Sequence, residues 1–96
     1  MNSKQRAYLK SLAAATDISV HIGKGGVSPE LIEAVDEALE ARELIKVGVL
    51  KNCPDDPREI ASVIAERSRS EVVQIIGKKI VLYRPDRKKP KILLPL

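Results

Sequence analysis

The 96-residue sequence predicts an α/β two-layer sandwich of order α-β-α-β-α-β-β, a mixed four-stranded sheet with three helices. Three observations predict it. The apolar pattern alternates between helical spacing and short β-branched runs. A helix-start signal precedes each helical stretch: Ser3, then Ser28-Pro29, then Asp56-Pro57. The last two β-rich runs are separated only by Gly77-Lys78, and glycine first in a two-residue loop suits a type II′ hairpin.

Element by element, Ser3 caps a first helix running to about Ala15, with Tyr8, Leu9 and Leu12 on its apolar side and Arg6 and Lys10 on another. Thr16-Asp17 breaks it, and Ile18 to Ile22 alternates as a short strand. Gly23-Lys24-Gly25-Gly26 is a loop. The second helix, opened by Ser28-Pro29 and ending near Arg42, places Leu31, Ile32, Val35, Ala38 and Leu39 on its inner side. Leu44 to Leu50 reads as a buried strand interrupted by Lys46 and Gly48, and Asn52-Cys53-Pro54-Asp55 is turn chemistry.

Asp56-Pro57-Arg58-Glu59 starts a third helix to about Ser68, with Ile60, Val63 and Ile64 facing inward. Val72 to Ile76 and Lys79 to Arg84 form the hairpin. The two strand-helix-strand crossovers are expected to be parallel and right-handed, and the hairpin antiparallel. All three helices are expected on one face. Residues 1–85 make the domain and residues 86–96 a basic tail; its segment 86–91 is expected to fray, and the sequence leaves open whether the apolar end Ile92-Leu93-Leu94-Pro95-Leu96 docks on the domain.

Composition narrows the function. The chain is 44% apolar, enough for a core in a domain that buries roughly 60–70% of its unfolded surface. Tyr8 and Tyr83 are its only aromatics. The core must therefore be aliphatic, and the aromatic platforms that stack bases in many RNA-binding modules are excluded. The formal net charge of +4 hides polarity: residues 1–28 carry +3, 29–43 −5, 44–71 zero and 72–96 +6. With one cysteine, Cys53, no internal disulfide is possible, and no apolar stretch reaches signal-peptide or membrane-span length. A soluble cytoplasmic protein without a membrane role is expected.

The glycine loop carries the chemistry. Glycines let backbone N–H groups approach a ligand closely, the following helix start adds donors and partial positive charge, and Lys24 adds a mobile cation. A tight strand-to-helix connection would look the same. The Walker spacing is absent, and Ser28 occupies the third glycine position of the dinucleotide pattern. What remains is G-x-x-G, the loop with which KH modules clamp a nucleic-acid backbone.

Basic residues gather toward the first helix, the loop, the hairpin and the tail, whereas Glu33, Asp36, Glu37 and Glu40 make the outer side of the second helix acidic. That acidic side would repel phosphate, and it reads equally as a solvated face. His21 lacks a second histidine or paired carboxylate nearby, so it is structural or a minor RNA contact; Cys53 has no evident base partner. Arg67 and Arg69 flank Ser68, where cations also complement a helix C-terminus.

Three segments in order, Gly23-Lys24-Gly25-Gly26-Val27, Ala38 to Val47, and Ile76-Gly77 followed by Ile80-Val81-Leu82-Tyr83-Arg84, resemble the CRM domain, the chloroplast RNA splicing and ribosome maturation family, and most closely its stand-alone bacterial YhbY/YqeI-type members. The resemblance spans about residues 2–85. It implies a fold similar to the C-terminal domain of translation initiation factor three. It also implies a non-catalytic, cofactor-free protein that binds ribosomal RNA in precursors of the large ribosomal subunit. The expected RNA-binding residues are Gly23, Lys24, Gly25 and Gly26, flanked by Arg6, Lys10, Lys46, Arg69, Lys78, Lys79 and Arg84, in a monomer. Two other classes stay open: a small phosphate-ester or nucleotide-binding enzyme using the same loop, and a protein-interaction module docking through the acidic helix.

Overall fold

The computed structural model describes residues 1–96. Its elements are α1 (Ser3–Ala14), β1 (Ile18–Ile22), α2 (Pro29–Arg42), β2 (Leu44–Val49), α3 (Pro57–Ser68), β3 (Glu71–Ile76) and β4 (Lys79–Tyr83), the α/β order that the sequence predicts. Local chemistry sets the helix starts. The Ser28 hydroxyl accepts the Leu31 N–H at 3.1 Å, and the Asp56 carboxylate accepts the Arg58 N–H at 2.8 Å. Each such cap contributes about 1 kcal/mol. For α1 the cap is Asn2 rather than Ser3. Asn2 accepts from the Gln5 N–H at 2.8 Å and Gln5 returns the bond to the Asn2 N–H at 3.1 Å, a reciprocal box that Ser3 has no partner to make.

The sheet order is β1-β2-β4-β3. β1 and β2 are parallel, and β4 lies antiparallel to both β2 and β3, so the last strand of the chain fills the middle of the sheet. Gly77 adopts φ 56° while Lys78 stays out of the left-handed region, the combination a type II′ turn requires.

The placement of α1 departs from expectation. Ile80 and Leu82 of β4 join Val35 and Leu39 of α2 and Ile60 and Ile64 of α3 in one core cluster. Val81 and Tyr83, alternating with them, join Leu9 and Ala13 of α1 in a second. Successive strand residues point to opposite faces, so α1 covers the face that α2 and α3 leave open. The sheet is covered on both sides because β4 is apolar on both.

Two inward positions also differ. Tyr8 is 39% exposed and Val63 36% exposed, while the small Ala13 and Ala61 sit at the buried contacts. The basic segment 86–91 is not frayed: the Asp86 and Lys91 N–H groups both donate to the Glu43 carboxylate, and the apolar end beyond it docks. Ile92 and Leu94 pack against the α1 cluster, and Gln5 donates to the Pro95 carbonyl at 3.0 Å.

Candidate nucleic-acid interface

Parallel pairing brings the C-terminal ends of β1 and β2 to one end of the sheet, and antiparallel β4 brings the hairpin to the same end. The Leu50 N–H donates to the Ile22 carbonyl at 2.8 Å, and the Val49 N–H to the Lys78 carbonyl at 2.7 Å. The glycine loop, the turn after β2 and the hairpin therefore meet there. Lys24, Lys51, Lys78 and Lys79 are all exposed at this end, and none forms an ion pair.

Inside the loop the Gly26 N–H closes onto the Gly23 carbonyl at 3.0 Å. Gly26 sits at φ 63°, and a Cβ there would approach the Asp55 carboxylate to 3.1 Å, so this position needs glycine on both counts. Gly25 has open space around it. The start of α2 contributes less than the sequence suggests. Ser28 already takes the Leu31 N–H with its side chain and the Ile32 N–H with its carbonyl, and Glu30 occupies the first turn. The lysines and the open loop backbone carry the positive character.

The two sides of the loop differ. Toward α3 a small hollow of about 300 Å³ is lined by Asp55 and Glu59 together with Gly25, Val27, Ile60 and Val63. Toward the α1 face lies a row of paired residues that crosses all four strands: His21, Gly48, Lys79 and Ile76. The next row is Ile18, Lys46, Val81 and Gln74. His21, Lys79 and Ile76 are exposed and Lys46 half-buried, so α1 leaves this part of the face open, and neither row holds an acidic side chain. Gly48 lets Ile18 lie flat across β2, since a Cβ at 48 would meet the Ile18 side chain at 3.0 Å.

Among the expected contacts, then, Gly23 to Gly26, Lys46, Lys78 and Lys79 come together, and Lys10 is exposed on α1 over the same face. Two do not join them because the fold uses their guanidinium groups. Arg6 donates to the carbonyls of Val72 (2.8 Å) and Val73 (2.9 Å), exposed where β3 breaks register against β4. Arg84 pairs with the Asp36 carboxylate and donates to the Ser68 carbonyl at 2.7 Å, fastening the end of β4 to the middle of α2 and the end of α3. Arg69, in the left-handed conformation at the end of α3, lies at the opposite end of the sheet from the glycine loop. Lys51 and His21 belong to the cluster; the signal for Lys51 was the parallel crossover, which forces the residue after β2 beside the loop after β1. No group of His, Cys, Asp or Glu side chains is placed to hold a metal ion, and no helix is long and apolar enough to cross a membrane.

Fold and site together define a small α/β domain with a cationic glycine loop at the C-terminal end of its parallel strands. The family model of the CRS1/YhbY (CRM) domain matches residues 1–84, and the chain belongs to that family. It is 44% identical over 95 residues to the Bacillus subtilis protein named "Probable RNA-binding protein YqeI", covering 99% of both chains. It is 34% identical to a Haemophilus influenzae protein named "RNA-binding protein", covering 99% of this chain and 95% of that one. The solution structure of SAV1595 from Staphylococcus aureus matches with a TM-score of 0.82 and 47% identity over 99% of each chain.

Proposed function

We propose that this chain is a non-catalytic RNA-binding protein that engages ribosomal RNA in precursors of the large ribosomal subunit and assists their assembly, as a cytoplasmic monomer. The observation that carries the RNA reading is the cationic strip running from Gly23–Gly26 past Lys51 and Lys78 onto Lys79 and Lys46, whose two strand rows hold no acidic side chain, with His21 beside it. Relatives named as RNA-binding proteins support the same reading. Ribosomal RNA as the target rests on the family resemblance.

On this strip the loop N–H groups and Lys24 hold backbone phosphate, while Lys46 and Lys79 continue the contact over the sheet. The acidic hollow on the α3 side of the loop repels phosphate and turns the strand toward the open face. Without Phe, Tyr or Trp on the strip, binding leans on phosphate, 2′-hydroxyl and shape contacts more than on stacking. Affinity for a ribosomal RNA fragment should therefore fall by about tenfold or more between about 50 and 200 mM salt. A salt-insensitive affinity would refute the multi-phosphate reading.

A further inference from the structure

The end of the sheet away from the glycine loop holds a second cationic surface, and it is built. Glu43 follows α2 at φ 64° and is only 1% exposed. Its carboxylate accepts N–H bonds from Asp86 (2.6 Å), Lys91 (2.7 Å) and Ile92 (2.8 Å), so the two ends of the tail turn are held by one buried anion. Within that clamp the Asp86 carboxylate accepts from the N–H groups of Lys88 (2.9 Å) and Lys89 (3.3 Å), which hold its carboxyl below the usual range. Arg87, Lys88 and Lys89 are all exposed on this turn, with no ion pair to any of them. Arg67, Arg69 and Arg87 line the same groove.

Adjacent cations repel, and a free tail would spread them apart in solvent. Here a buried carboxylate is satisfied by the backbone of the segment that carries them, which fixes the charges in place. We propose that this surface is a second RNA-backbone site, separate from the glycine loop, so that one chain holds two RNA segments at once. The proposal rests on the RNA-binding reading above. The six residues of β2 between the two ends span about 20 Å, beyond the roughly 8 Å screening length of physiological salt, so the two sites act independently. Across the groove Glu33 and Glu40 of α2 repel phosphate, and Asp36 is paired with Arg84. RNA is thereby confined to the rim formed by the 87–89 turn and the end of α3.

The test is binding stoichiometry with an RNA hairpin too short to reach both ends, followed by sedimentation, using the full chain. Wild type should bind two hairpins per chain. The triple variant Arg87→Ala, Lys88→Ala, Lys89→Ala keeps every N–H donor of the clamp and should bind one, with the second affinity weakened about tenfold or more and the first changed less than about twofold. Lys24→Ala should do the converse. Glu43→Gln, with every cation still present, should also lose the second hairpin while remaining folded by near-ultraviolet circular dichroism. Two hairpins retained by the triple variant would overturn the second site and leave the surface to an acidic protein partner. One hairpin on wild type overturns it as well, with loop binding intact. Loss of all binding in the triple variant would mean a single continuous site. Absence of any RNA binding by wild type would instead remove the RNA reading itself.

Discussion

The two ends of the sheet both present free cations but anchor the backbone that carries them differently. At the glycine-loop end the lysines stand free, the loop closes on one internal hydrogen bond, and the neighbouring face is open. At the other end Glu43, Arg84 and Asp86 are tied into the backbone by several bonds each, and the tail is drawn in with them. Charge therefore serves two purposes in this chain. Cations without partners are available to a ligand, whereas charges answered by N–H groups, carbonyls or each other hold the fold.

The sharpest way to break this contrast is at the tied end. Glu43→Ala removes the acceptor of three N–H groups and should cost about 3 kcal/mol in urea unfolding, with loss of amide-exchange protection at residues 91 and 92. A loss below about 0.5 kcal/mol would show that the anion does not hold the tail. At the loop end the largest effect should come from the backbone. Gly26→Ala forces a side chain at φ 63° against Asp55 and should cost about 1 kcal/mol while weakening RNA binding.

A smaller effect appears with pH at the tied end. Burial, aided by the charges of Glu43 and Glu71, raises the Tyr83 phenol above its ordinary 10.0. The raised value means that its contribution to stability is complete below pH 10.0 and is lost as pH climbs through the folded-state value. Urea midpoints should fall above pH 10.0 in wild type and fall less in Tyr83→Phe. Equal declines would remove the phenol from the account. The smallest stability change should be at Lys24. Lys24→Ala should leave stability within about 0.5 kcal/mol, yet weaken RNA binding measurably at the loop. Unchanged RNA affinity would move the primary site away from it.

What the sequence revealed of the fold was whatever nearest neighbours determine. Ser28-Pro29 and Asp56-Pro57 mark their helices because a cap is a contact over two or three residues, and Gly77-Lys78 marks its hairpin for the same reason. Asn2 was hidden by Ser3, since both residues cap well and only Gln5, three positions after Asn2, decides between them. The face chosen by α1 was recorded in Ile80-Val81-Leu82-Tyr83, apolar on both sides, which marks a strand covered on both sides.

The site was readable where it is local. Gly23 to Gly26 needs only its own spacing, but the partners of Arg6, Glu43 and Arg84 lie far along the chain, and a charge in a sequence does not say what answers it. The hydrogen bonds that tie Arg6 to β3 and Arg84 to α2 and α3, and the clamp at Glu43, were therefore not readable from spacing. His21, Lys46 and Lys79 lie on one open surface only because the β1-β2-β4 register aligns them.

Placing β4 between β2 and β3 also fixes when the molecule can become itself. A ribosome making this chain delivers β1, α2, β2, α3 and β3 before the strand that joins them, so β2 and β3 wait with unpaired edges until Lys79–Tyr83 has been made. The tail that docks under α1 comes later still. Cooperative folding of the sheet thus waits until β4 has been made, and a chain stopped before residue 79 lacks the middle of its sheet. Such a fragment exposes two strand edges at once, which makes early termination a route to aggregation rather than to a smaller working domain.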